Sequence, residues 1–229
     1  TAWEETDGTG VAAGFVTVSG VGGGTDIEWA LPSDALPDGM SAYVSFSPKP
    51  DGSKNTDKSA NSSGSGVDGW GYDIALSHTG LVDGMNVFGG YSIIPQYTNS
   101  VAGSGFSGDK QSKVLGATYA MGGATVGYQY SSEDLNNNAG GATSTYQNNA
   151  YGVSFSVNDD LSVSYGMHKS ERRTNNGASV EVEAESLQIA YSMGGATVKI
   201  ADTEVDNAAY VSTTAGDKGG TTVMLSLAF

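Results

Sequence analysis

The chain contains no cysteine, which rules out a disulfide framework, a thiolate metal site and a cysteine nucleophile, and leaves the redox compartment open. Cations are scarce. Lysine and arginine together number 10 against 25 acidic residues, so the net charge is −15, and the only arginines are Arg172 and Arg173. Phosphate recognition needs clustered Lys and Arg, so nucleic acid is not an expected partner. No apolar run comes near the ~18 residues that a membrane helix needs. The opening TAWEETDGTG has neither a basic start nor an apolar signal core, so either a signal has been removed or the chain is a piece of something longer. Catalytic signatures are sparse too. His78 and His168 are far apart, HExxH and GxSxG do not occur, and the carboxylates form no recognisable acid–base pair, so an enzyme is not expected. GSGFSG at 103–108 matches GxGxxG in letters, but the next element reads as a strand, not the helix whose N-terminus a dinucleotide site uses.

What is plentiful is glycine: 34 of 229 residues, roughly twice the usual ~7%. Only 38% of residues are apolar and 15% charged; Gly, Ser, Thr, Asn and Gln make up much of the rest. This mixture suits polar, turn-rich β structure and is thin for a large dry core.

The informative signal is a period of two. Leu161, Val163, Tyr165 and Met167 alternate with Ser162, Ser164, Gly166 and His168, and Leu187, Ile189, Tyr191 and Met193 alternate with Gln188, Ala190 and Ser192. The same rule holds for Tyr151 to Val157, Trp70 to Leu76 and Thr221 to Phe229. Each such stretch is a strand with large apolar groups on one face and small or polar ones on the other. Alternation alone does not separate a soluble sandwich from a barrel. Length and turn pattern do. About eleven strands are expected, near 25–32, 38–49, 69–79, 84–95, 111–121, 124–133, 146–157, 160–172, 181–193, 196–206 and 219–229. Many reach ten residues, which at ~3.4 Å rise and a ~40° tilt cover roughly 25 Å, the height of the apolar band of an outer-membrane barrel.

Short and long connections alternate. Short ones, at SDALPDG, HTGLVDG, MGG (121–123), NDD (158–160) and MGG (193–195), are each followed by a longer polar stretch, the fourth being SERRTNNGAS. An up-and-down membrane barrel has this arrangement, with turns on one side and loops on the other. MGGATV occurs twice, at Met121 to Val126 and Met193 to Val198, both times as a tight turn whose paired glycines suit positive φ. Trp29, Trp70, Tyr119, Tyr128, Tyr130 and Tyr191 fall on the apolar faces near expected strand ends, where a membrane belt places aromatics; tyrosine is also simply a good strand former.

The fold class is therefore all-β, an antiparallel up-and-down transmembrane β-barrel. These residues resemble a family: the chain is similar to the C-terminal part of a Gram-negative general porin of the alphaproteobacterial kind, being glycine-rich, acidic, cysteine-free and ending in the alternating strand TTVMLSLAF. The resemblance implies sixteen strands, of which the eleven are the sixth to the sixteenth. It implies that residues 1–24 are a remnant of the inward-folded constriction loop, with Glu4, Glu5 and Asp7 adding negative field, and that 25–229 are barrel strands of one domain. It further implies that Val223, Leu225, Leu227 and Phe229 form the signal read by the outer-membrane insertion machinery, and that the assembly is a homotrimer. The signal peptide and first five strands would then be missing. Eleven antiparallel strands cannot close in strict alternation, and an open edge in hydrocarbon leaves backbone groups unsatisfied. Val11 to Ser19 as a twelfth strand, closing a smaller barrel, is the alternative.

If the bulky residues face lipid, their neighbours line the pore. Asp26, Glu28, Asp73, Asn86, Ser92, Gln129, Ser154, Ser162, His168, Gln188, Lys199 and Ser226 are the pore-lining candidates, expected to give a wet bore with weak cation preference. Lys199 or His168 alone reads equally well as a solvated residue. Glu181, Glu183 and Glu185, beside Arg172 and Arg173 across a hairpin, read as rim charges. Glu133 with Asp134, or Asp202 with Glu204 and Asp206, offers oxygen ligands for a loop-bound Ca²⁺ without EF-hand spacing; otherwise no cofactor or metal is expected. The function read here is a passive water-filled channel of the bacterial outer membrane, with membrane lipid, ions and small hydrophilic solutes as partners. The alternative is an adhesive or structural surface protein, a filled barrel or a soluble sandwich, binding through its long loops.

Overall fold

A computed structural model describes residues 13–18, 27–47, 70–95 and 106–227. Eleven strands form one antiparallel sheet in chain order: β1 (Ile27–Ala30), β2 (Met40–Ser47), β3 (Gly71–Thr79), β4 (Met85–Ile94), β5 (Lys110–Met121), β6 (Ala124–Asp134), β7 (Thr143–Ser156), β8 (Leu161–Thr174), β9 (Ser179–Met193), β10 (Ala196–Asp206) and β11 (Lys218–Leu227). Each overlaps one of the strands expected from alternation. Val, Ile, Tyr and Thr supply the β-branched and aromatic side chains that pack on a pleated surface, and paired glycines at positive φ, Gly194 and Gly195, close the β9–β10 turn.

One face of this sheet is apolar and exposed. Leu187, Ile189 and Tyr191 retain 50%, 43% and 45% of their surface, and Val153, Phe155, Tyr165, Ile200 and Val223 are similarly open. A soluble sandwich would bury this set. Registers join these residues into continuous rungs. One runs Met121, Ala124, Phe155, Val163, Ile189, Ile200, Val223. Above the band, on the side of the longer connections, tyrosine hydroxyls donate to polar neighbours nearer the loops: Tyr128 to Asn149 Oδ1 at 2.9 Å and Tyr165 to Glu185 Oε2 at 2.6 Å. This is how an amphipathic ring sits at an interface.

The turns on the other side are staggered. The last outward-facing pairs of the β5–β6 and β9–β10 hairpins are Met121↔Ala124 and Met193↔Ala196. Followed through the register, Met193 lies four residues beyond the Met121 rung, because Ile189 is on it. The shift is thus one residue per strand over four strands. That is ~3.4 Å along for ~4.8 Å across, a tilt of about 35° and within the range of membrane barrels. The tilt explains why a single rung passes from Leu115 and Tyr130 to Lys169, Glu183 and Asp206: it climbs out of the apolar band.

Two expectations change. SERRTNNGAS is not a long loop: β8 runs to Thr174 and β9 starts at Ser179, leaving a four-residue connection, 175–178. Cross-strand pairs such as Lys169 Nζ to Glu183 Oε2, 2.7 Å, carry the ladder beyond the apolar band. Residues 13–18, the described part of 1–24, add no strand to the sheet, so the twelfth-strand alternative does not hold for them. Among the described residues β1 and β11 do not pair with each other.

Candidate functional site

The opposite, inner face has two halves. Toward the tight turns it is a wall of small hydroxyl and amide groups. One rung reads Thr125, Ser154, Ser164, Gln188, Ala201, Thr222. Below it lie Ser156, Ser162, Ala190 and Lys199, then Ser192 and Thr197, whose hydroxyls are 2.9 Å apart. Above it Gly127, Gly152 and Gly166 are register partners and hollow out the wall. The resulting cavity of about 450 Å³ also takes in Phe88, Gln129 and Gln188, and no charged side chain lines it. The Phe88 ring lies on Gly116, where a Cβ would come within 2.3 Å of Cζ. Gln188 Nε2 and Thr222 Oγ1 are buried without a partner among the described residues.

Toward the longer connections the inner face is covered. Val182, Ala184 and Val205 are buried, with Ala208 and Tyr210 from the β10–β11 connection and Ala13 from the N-terminal segment; Phe15, Val16, Tyr146 and Val180 pack around them. Burial of a side chain such as Val182 stabilises by roughly 1.5–3 kcal/mol. Phe15 stacks on His168, centroids 3.9 Å apart. Asn148 donates to the Val16 carbonyl at 3.2 Å, and Val18 lines a small hollow with Asp73, Ser92 and Ser112. Residues 13–18 thus cross the inner face from the β10–β11 connection to β4. Tyr210 anchors them: its hydroxyl accepts the Val16 N–H at 3.0 Å and lies 2.6 Å from Ser170 Oγ. Burial raises the Tyr210 phenol above its ordinary pKa, so the hydroxyl keeps its proton.

The sequence candidates separate on this geometry. Glu28, Asp73, Asn86, Ser92, Gln129, Ser154, Ser162, Gln188, Lys199 and Ser226 all occupy inward register positions. Gln129, Ser154 and Gln188 meet at the cavity; Ser92 is buried. His168 also points inward but is only 6% exposed, beneath Phe15. Asp26, Glu4, Glu5 and Asp7 lie outside the described residues, as does Phe229; Val223, Leu225 and Leu227 face outward and are exposed. Alternation picked out the face. It did not identify Phe88, Tyr146 or Tyr210, since nothing in a single strand's pattern says which inner positions will be covered.

Charge is distributed unevenly. Among the described residues the inward strand positions carry Glu28, Asp73 and Glu133 against Lys110, Arg172, Lys199 and Lys218, with Lys110 and Glu133 paired at 2.9 Å. The outward positions of β8–β10 carry Glu171, Glu181, Glu183, Glu185, Asp202, Glu204 and Asp206, and registers set Glu185 against Glu204 and Glu183 against Asp206. These carboxylates form an outer acidic collar above the apolar band. Among the described residues no three His, Asp or Glu side chains are placed to hold a metal, and no helix is long and apolar enough to cross a membrane.

No protein-family model matches the chain, and no curated protein sequence matches it. Solved structures do. The chain is similar to OmpF of Salmonella typhi in complex with daunomycin, at 16% identity over 88% of this chain and 61% of that one, TM-score 0.62. It is similar to the outer membrane channel DcaP of Acinetobacter baumannii, at 11% identity over 92% and 65%, TM-score 0.60. A third is OmpT, an outer membrane protein of Vibrio cholerae, at 14% identity over 79% and 53%, TM-score 0.52. The chain spans between about half and two thirds of the length of these three proteins. At such identities the likeness shows the fold, which is that of outer-membrane β-barrels.

Proposed function

We propose that the chain forms the wall of a water-filled channel in the bacterial outer membrane, through which ions and small hydrophilic solutes diffuse passively. The observation that carries this reading is the split between the faces of β8–β10 in the half nearer the tight turns: bulky apolar side chains exposed on one, hydroxyls, amides and glycines on the other. A bilayer solvates the first face and water the second. The longer connections then lie outside the cell and the tight turns on the periplasmic side. Passage of this kind uses no cofactor and no catalytic group, and none is proposed.

The finer proposals are a porin of the general, alphaproteobacterial kind, a homotrimer, insertion through the outward-facing C-terminal strand, and weak cation preference. The last does not come from the described inner strand positions, whose acidic and basic groups nearly balance. It rests on Glu4, Glu5 and Asp7, which lie outside the described residues and which the porin resemblance assigns to a constriction loop. One observation favours the filled-barrel alternative: the apolar core that covers the inner face on the loop side. Reconstitution of the protein into a planar bilayer separates the two. The channel reading expects discrete conductance steps and is abandoned if detergent-folded protein inserts and none appear.

A further inference from the structure

Asn207, Ala209 and Tyr210 have φ of 55°, 55° and 60°, a left-handed conformation that alanine and tyrosine rarely adopt unless their surroundings impose it. Here the surroundings are specific. Asn207 donates from Nδ2 to the Glu181 carbonyl at 2.9 Å, and its N–H bonds Asp217 Oδ1 at 3.2 Å. The Ala208 N–H bonds the Gly216 carbonyl at 2.7 Å, closing the connection on itself, and the Ala209 N–H bonds the Ala13 carbonyl at 2.8 Å. Gly14, at φ 66°, is in such close contact that a Cβ there would lie 3.1 Å from Ala209 Cα. The strained turn drives Tyr210 inward, where Arg172 Nη2 donates to its carbonyl at 3.3 Å and the guanidinium lies 5.1 Å from the ring centroid. Tyr146 flanks it at 5.4 Å between centroids. The hydroxyl then reaches Val16 N–H and Ser170.

We infer that Tyr210 is a positioning residue, and that the β10–β11 connection is a latch holding Ala13–Val18 across the inner wall, so that displacing the connection from outside unseats the segment. Two independent contacts join them, the Ala209–Ala13 backbone bond and the Tyr210–Val16 bond, and both come from the strained stretch. Among the described residues nothing comparable ties Val18 to the opposite side, where it borders a hollow of about 160 Å³. That opening the latch changes the bore rests on the channel reading; the latch itself does not.

The test uses the full chain folded in lipid. Val16→Cys introduces a single thiol at a partly buried position that retains its backbone N–H, and Ser192→Cys, in a separate chain, puts a control thiol on the turn-side wall. Tyr210→Phe removes only the hydroxyl; Tyr210→Ala removes the ring; Gly14→Ala puts a Cβ 3.1 Å from Ala209 Cα and strains the left-handed backbone at position 14. Losing the buried hydroxyl contact is expected to speed labelling of the thiol at position 16 about tenfold in Tyr210→Phe, and more in the other two, with labelling at position 192 unchanged. Unchanged labelling at position 16 in Tyr210→Phe and Gly14→Ala overturns the latch. Equal acceleration at both sites marks general unfolding and also counts against it. In parallel bilayer recordings Tyr210→Phe is expected to add larger or fluctuating conductance levels. A wild-type chain that does not conduct, with the thiol at position 16 released as expected, defeats the channel reading and leaves the latch standing.

Discussion

Strands β9 and β10 behave as two different proteins along their length. Near the tight turns they read apolar outside and polar inside: Leu187, Ile189 and Tyr191 are exposed, and Gln188, Ala190 and Ser192 face inward. Near the longer connections the sense reverses. Glu181, Glu183 and Glu185 point out, while Val182 and Ala184, both 0% exposed, point in. β10 makes the same switch between Ile200 and Asp202, with Val205 buried above Lys199. One pleat and one period serve both halves; what changes is the solvent. Where lipid bathes the outer face the apolar set belongs there, and where water does, it retreats inside.

The comparison can be broken most severely from the covered half. Val182→Asp places a carboxylate at a position that is 0% exposed, within the apolar core, and is expected to cost roughly 3–5 kcal/mol; Ser164→Asp, inward on the turn side, is expected to cost under about 1 kcal/mol. Denaturant titration in lipid vesicles measures both, and equal costs would erase the distinction between the halves. The outer face gives the next largest contrast. Ile189→Arg is expected to lose roughly 2–4 kcal/mol in the same assay, against about 0–1 kcal/mol for Glu185→Arg, which lies above the apolar band.

The glycines give a smaller effect. Gly116→Ala must push the Phe88 ring aside and is expected to cost about 1 kcal/mol, at the low end for overpacking. At Gly152 a Cβ meets nothing within 4 Å, so Gly152→Ala is expected to be neutral or slightly stabilising. Smallest in stability but visible in transport is Lys199→Glu. It should change folding by less than about 0.5 kcal/mol and move the reversal potential in a salt gradient toward cations; no movement would place Lys199 away from the conducting path.

Much of this architecture was legible because membrane strands announce themselves by a local rule. All eleven strands, and the apolar outward face of most of them, followed from alternation, and MGGATV at Met121 and Met193 marked two turns on one side. The errors fell where the rule still operated but its sign had changed. In SERRTNNGAS, charged residues resembled a loop, yet Glu171 and Arg173 face out while Ser170 and Arg172 face in, and the strands continue. His168 was an inward residue by pattern, correctly, but Phe15, from more than 150 positions away in the chain, covers it. Tyr210 carried no local signal at all: its inward turn depends on left-handed backbone at Ala209 and Tyr210 that only tertiary contacts impose.

The most direct test of the inversion is a cysteine scan along β9 from 181 to 193, feasible because the chain has no cysteine of its own. Each position carries a nitroxide in the lipid-folded protein, and its accessibility to oxygen and to a water-soluble nickel chelate is read. The account predicts that 187, 189 and 191 favour oxygen, 188, 190 and 192 favour the chelate, 181, 183 and 185 favour the chelate, and 182 and 184 are reached poorly by either. A two-residue period that keeps one phase from 181 to 193, with the odd positions in lipid throughout, would contradict it.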